Sequence, residues 1–121
     1  MEILIVDDSK MMRKIIRTTL ENLGYKNIAE AENGKEALDR VLQQTPALIL
    51  LDWNMPVMDG ITFLEEFRTT NKKTPVVMVT TEAEKSRVIQ AIKAGVNNYI
   101  VKPFTPDAIS DIIQKTMSVA A

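Results

Sequence analysis

Five short apolar runs, each pair separated by room for a helix, constrain this chain more than any other feature. The runs are Ile3–Val6 and residues 27–31, 47–51, 76–79 and 98–101, and most are rich in Ile, Leu and Val. Runs of this length bounded by turn or polar residues read as buried parallel strands. Helical spacing fills the gaps. Met12, Ile15, Ile16, Leu20 and Leu23 recur at three and four, and Gly24 marks the stop. Residues 34–44 follow Asn33, an N-cap type. Asp59 opens a third helix with Ile61, Leu64 and either Phe63 or Phe67 inward. A fourth spans residues 83–94, with Val88, Ile89 and Ile92 inward and Gly95 after it. Thr105-Pro106-Asp107 reads as N-cap, first-turn proline and first-turn acid of a fifth. Its inward face is Ile109, Ile112, Ile113 and either Thr116 or Met117. The pattern is (βα)5, an α/β fold with a doubly wound, parallel five-stranded sheet. Ligands of such sheets bind outside the carboxyl ends of the strands.

Composition narrows the chemistry. The 121 residues make one expected domain, 1–121, long enough to bury a core unaided. Fifteen basic against sixteen acidic residues leave a net charge of −1, so no basic surplus favours nucleic acid. Without cysteine there is no thiolate metal site, and without histidine no imidazole base or ligand. No run approaches a membrane span, and MEILIVDD lacks the basic start of a signal peptide. A cytoplasmic monomer is expected, with no membrane insertion.

Carboxylates, lysine and hydroxyls remain, and they stand at strand ends. Asp7 and Asp8 follow the first strand, Asp52 the third, Thr80 and Thr81 the fourth, and Lys102 the fifth. If those strands are neighbours, the groups share one pocket. Clustered carboxylates repel each other, and a hard divalent cation relieves that. Two or three carboxylates plus water suit Mg²⁺. A lysine and a threonine opposite the metal suit a phosphoryl oxygen, and an aspartate can be the nucleophile that accepts it. Each group alone has an ordinary structural reading, as cap, turn former or surface lysine. Their joint placement at four strand ends does not.

The segments LIVDDS, LILLDWNMPVMDG, VVMVTTEAE and AGVNNYIVKPF resemble the response-regulator receiver domain over essentially the whole chain. Within that family the style is that of single-domain chemotaxis regulators. The resemblance implies a flavodoxin-like strand order 2-1-3-4-5. It also implies Asp52 as phosphoryl acceptor from a sensor histidine kinase. Asp8 would hold Mg²⁺ directly, Asp7 through water, and Asn54 through its backbone carbonyl, beside Asp52. Lys102 would pair with the phosphoryl group and Thr80 would move to bond it. Tyr99 would then turn inward and alter the surface of helix 4, strand 5 and helix 5. The Lys102–Pro103 peptide would be cis. The implied function is a phosphorylation-controlled switch in two-component signalling, not an enzyme with a substrate of its own. It would assist only its own phosphorylation and dephosphorylation. Its output would go through protein contact, with the flagellar motor switch and a phosphatase as expected partners and no output domain in the chain. Thr81 departs from the commonest pattern, a small residue. With Asn54 and Glu82 it borders the route of attacking water, which leaves the lifetime of the phospho-aspartate open.

Competing classes fit less well. A haloacid-dehalogenase phosphatase places its nucleophile after strand 1 as DxDx[TV], where this chain has Asp7-Asp8-Ser9-Lys10-Met11. An FMN carrier needs a hydroxyl- and glycine-rich loop there, which the acidic pair replaces. A pseudo-receiver usually lacks one of the acidic or lysine positions, and all are present. Trp53 is expected to be partly exposed. Met11, Met12, Met55 and Met58 read as gap fillers or loop residues.

Overall fold

The computed structural model describes residues 2–120. Its elements run β1 (Ile3–Val6), α1 (Lys10–Asn22), β2 (Ile28–Ala31), α2 (Gly34–Gln43) and β3 (Leu48–Leu51). They continue as α3 (Gly60–Arg68), β4 (Val76–Thr80), α4 (Lys85–Ala94), β5 (Asn98–Val101) and α5 (Pro106–Ala120). The expected strands and helices are all present, with ends shifted by one or two residues. Thr80 closes β4 rather than following it, and α4 starts at Lys85 instead of residue 83. The strands pair in parallel in the order β2-β1-β3-β4-β5.

The pleat divides the core. Along β1, Leu4 and Val6 face one cluster and Ile3 and Ile5 the other, as alternating strand residues must. The first cluster takes in residues of α2, α3 and α4; the second takes in α1 and α5. The central strands β1, β3 and β4 are buried throughout, which is why they are continuous apolar runs instead of alternating ones. The edge strand β5 is only half-buried.

Caps are as expected at three helices. The Asn33 side chain accepts from Glu36 N at 2.9 Å, Asp59 from Thr62 N at 2.8 Å and Thr105 from Ala108 N at 3.1 Å. Ser9 does the same for α1, accepting from Met12 N at 3.2 Å. Gly95 ends α4 in the left-handed region, φ 112°, where glycine carries no Cβ penalty.

Some inward assignments are corrected. Ile89 and Ile92 are 42% and 59% exposed, and Ala91 is the buried residue of α4. The buried stripe lies about one position from the expected one, because α4 packs through a small residue instead of its large ones. Ile15 is also exposed on α1. The true core face of that helix runs Arg13, Ile16, Thr19, Leu20. In α3 both Phe63 and Phe67 are buried and stack, with ring centroids 5.5 Å apart.

Candidate functional site

Register brings the strand ends together. Val6 pairs with Leu51, so Asp7 and Asp52, each one residue further on, lie side by side. Leu51 pairs with Met78, and Thr80 pairs with Val101, directly before Lys102. Carboxylate oxygens of Asp7, Asp8 and Asp52 lie within 4.8 Å of one another. Asp7 and Asp52 are buried and Asp8 is exposed. The Lys102 ammonium bridges the buried pair, 2.7 Å from Asp7 Oδ2 and 3.3 Å from Asp52 Oδ2.

One ammonium against three carboxylates leaves an excess of negative charge. Burial pushes the Asp52 carboxyl up; Lys102 opposes this and Asp7 adds to it, so the group sits above the usual range. Burial pushes the Lys102 ammonium down, but the hydrogen bond to Asp7 and the charges of both carboxylates outweigh it, leaving it above its ordinary value. A hard divalent cation among these oxygens fits the donor set, which contains no nitrogen or sulfur ligand.

Backbone contacts hold the two buried carboxylates in place. Ser9 N donates to Asp7 Oδ1 at 2.8 Å, and Trp53 N donates to Asp52 Oδ1 at 2.7 Å. Gly60 N donates to Trp53 O at 2.8 Å, drawing the start of α3 against the acceptor segment. A Cβ on Gly60 would stand 2.1 Å from Asp52 O, so only glycine allows that approach.

Thr80, Glu82, Asn54 and Tyr99 form a second layer. The Thr80 hydroxyl is fully buried and accepts from Glu82 N at 3.3 Å. The Tyr99 hydroxyl donates to Glu82 O at 2.5 Å, and Asn54 Nδ2 donates to Glu82 Oε1 at 2.9 Å. With its side-chain amide so engaged, Asn54 keeps its carbonyl free of any backbone donor among the described residues. Burial and the charges of Glu82 and Asp52 hold the Tyr99 phenol above its ordinary value, with Arg87 opposing. The Lys102–Pro103 peptide is cis.

Trp53 corrects an expectation. It is 3% exposed, packed in the core, and the Arg87 guanidinium of α4 lies 5.2 Å from its ring centroid. Arg87 at a helical position one turn into α4 offered no signal of that contact. Arg13 was missed as well, although a charged residue at core-face spacing with Ile16 and Leu20 is the kind of signal that could have found it. Of the methionines, Met11 is exposed, while Met12, Met55 and Met58 pack against the two clusters.

Fold and site define a flavodoxin-like α/β domain with an acidic pocket and one bridging lysine at the carboxyl edge of its sheet. The chain belongs to the response regulator receiver domain family, whose model matches residues 3–114. Chemotaxis protein CheY1 of Helicobacter pylori is 47% identical over 117 residues, 94% of each chain. The chemotaxis protein CheY homolog of Campylobacter jejuni is 46% identical over 120 residues, 97% of this chain and 92% of the other. Among solved structures, Vibrio cholerae CheY4 aligns with a TM-score of 0.88 at 33% identity, covering 95% of this chain and 97% of that one. A CheY-like receiver from Methanospirillum hungatei aligns at 0.91 with 28% identity, covering 98% and 94%. The chain is therefore a signalling switch of the two-component type.

Proposed function

We propose that Asp52 accepts a phosphoryl group from a sensor histidine kinase, in a Mg²⁺-dependent reaction, within a chemotaxis pathway. The carrying observation is the trio Asp7, Asp8 and Asp52 with Lys102 bridging its buried pair. Asp8 and Asp52 would hold the cation through their carboxylates, Asp7 through water and Asn54 through its backbone carbonyl. When bound, Mg²⁺ supplies charge neutralisation between the carboxylates and the phosphoryl oxygens. An Asp52 oxygen attacks phosphorus as the P–N bond of the phosphohistidine breaks, and the imidazole nitrogen leaves with the bonding pair and takes a proton from solvent. Lys102 is already at the pocket and exchanges part of its pairing with Asp52 for the phosphoryl oxygens. No general base is needed, which suits a chain without histidine.

The new charge reaches the surface through the second layer. Thr80 turns its hydroxyl from Glu82 N to the phosphoryl group. Tyr99, held by Glu82 O, loses that anchor as the β4–α4 segment moves and swings into the space Thr80 leaves. The outcome is a changed surface on α4, β5 and α5, where Ile89, Ile92 and Val101 are exposed. The relatives are named as chemotaxis proteins, which supports a target in that pathway, the flagellar motor switch; a phosphatase would be the further partner.

The test follows Trp53 fluorescence during addition of Mg²⁺ and then a small-molecule phosphodonor, with Asp52→Asn in parallel and intact mass on both. A Mg²⁺-dependent change, followed by a donor-dependent change and one added phosphoryl group absent from Asp52→Asn, is expected. No mass change in the wild type overturns the reading.

A further inference from the structure

Every polar atom of Asp7 has a partner, and one of these is not accounted for by the reaction. Asp7 N donates to Ala31 O at 3.1 Å, Oδ1 accepts from Ser9 N and Oδ2 from Lys102. The backbone carbonyl of Asp7 accepts from Arg13 Nη1 at 2.7 Å, in a buried contact. That carbonyl belongs to the peptide joining Asp7 to Asp8. Fixing it fixes the plane of that peptide, and with it the direction in which Asp8 leaves the backbone.

Arg13 is held in turn. Its side chain is 9% exposed, and Nε donates to Glu30 Oε1 at 2.8 Å. The second oxygen of Glu30 accepts from Arg17 Nε at 2.7 Å, and Arg17 Nη2 reaches Ile28 O at 3.2 Å. Burial pushes the Glu30 carboxyl up, but its hydrogen bonds to Arg17 and Arg13 and their charges outweigh that and hold it below the usual range. The result is a continuous hydrogen-bonded path from β2 through Glu30 and Arg13 to the Asp7–Asp8 peptide. A planar guanidinium can hold both ends at once, where a lysine ammonium would be a point charge without the fork.

We infer that Arg13 is a positioning residue, clamped by Glu30, that orients the Asp7–Asp8 pair and so sets the affinity of the acidic pocket for a divalent cation. This rests on the Mg²⁺ reading above. The inference runs against simple electrostatics. Arg13 is a cation near a cation site, so charge alone predicts that removing it tightens Mg²⁺ binding. Positioning predicts the reverse, and groups that orient a metal's ligands typically matter about tenfold or more in affinity.

The experiment is calorimetric titration of Mg²⁺ into wild type, Arg13→Met, Arg13→Lys, Glu30→Gln and Arg40→Met, with thermal melts on each. Arg40→Met is the control. It breaks a comparable ion pair, Arg40 to buried Glu2 at 2.7 Å, at the opposite end of β1. Expected are about tenfold weaker Mg²⁺ binding in Arg13→Met, a smaller loss in the same direction for Arg13→Lys and Glu30→Gln, and wild-type affinity in Arg40→Met. The Asp8 amide nitrogen resonance should move in Arg13→Met and stay put in Arg40→Met. Unchanged or tighter binding in Arg13→Met overturns the inference, as does equal weakening in Arg40→Met. Should Arg13→Met not fold, Glu30→Gln decides alone by the same criterion. A wild type that binds no Mg²⁺ sinks the underlying reading instead, a separate result.

Discussion

Asp52 concentrates the conflict in this molecule. It must be buried to sit beside Asp7 and Lys102, yet burial and the Asp7 charge work against its ionised form. A carboxyl raised in the folded state costs stability above its folded pKa, and the cost disappears as pH falls toward the ordinary value of 3.8. Asp52→Asn should therefore melt a few degrees higher than wild type at neutral pH without Mg²⁺. The advantage should shrink as pH falls from neutral toward about pH 4 and be gone below it. Melting curves from pH 7 to pH 3 test this, and a destabilised variant at pH 7 would place Asp52 outside a repelling cluster. Gly60 shows the opposite kind of residue: its role lies wholly in what it lacks, a Cβ against Asp52 O.

Among the helices, α4 is the weakest by construction. Its N-cap, Glu84, makes no side-chain hydrogen bond, and Ala91 is its one buried residue. Few buried contacts and an open end predict a segment that opens at low free energy. Amide exchange should be faster in α4 than in α1 or α3. Glu84→Ser, adding the missing cap, should stabilise the protein by about 0.5–1 kcal/mol and slow exchange in the first turn of α4. Exchange as slow in wild-type α4 as in α1 would refute the ranking. A weak element flanked by Thr80 and Tyr99 suits a switch, since small free energies can then shift it.

For the molecule as a whole, the acidic edge is where folding and function oppose each other. Three carboxylates with one ammonium at a single edge favour any cation that binds there. A ligand that binds only the folded state stabilises by mass action, about 1.4 kcal/mol at ten times its Kd. In a chain of this size that amounts to several degrees in Tm. Mg²⁺ should raise the melting temperature of the wild type by that much, and that of Asp52→Asn by less. A melt indifferent to Mg²⁺ would remove the metal from the account. No helix among the described residues is long and apolar enough to cross a membrane.

The fold was legible because its signals are local. Uninterrupted Ile, Leu and Val runs, N-caps at Asn33, Asp59 and Thr105, and Gly95 after α4 each act within a few residues of themselves. Asp7, Asp8, Asp52, Thr80 and Lys102 were legible for a related reason: a parallel sheet delivers whatever follows its strands to one edge. The strand order, which makes those ends neighbours, came from family resemblance and not from the runs themselves. What only the tertiary structure decided depends on distant partners. Trp53 is buried because it joins the cluster packed by α2, α3 and α4; Ile89 and Ile92 are exposed while Ala91 makes the contact; and Arg13 is buried with Glu30 of β2 as its partner. Helical periodicity locates a stripe only to within about one residue, and a charged side chain enters a core only if another element brings its counter-charge. Neither condition is written in the residues near it.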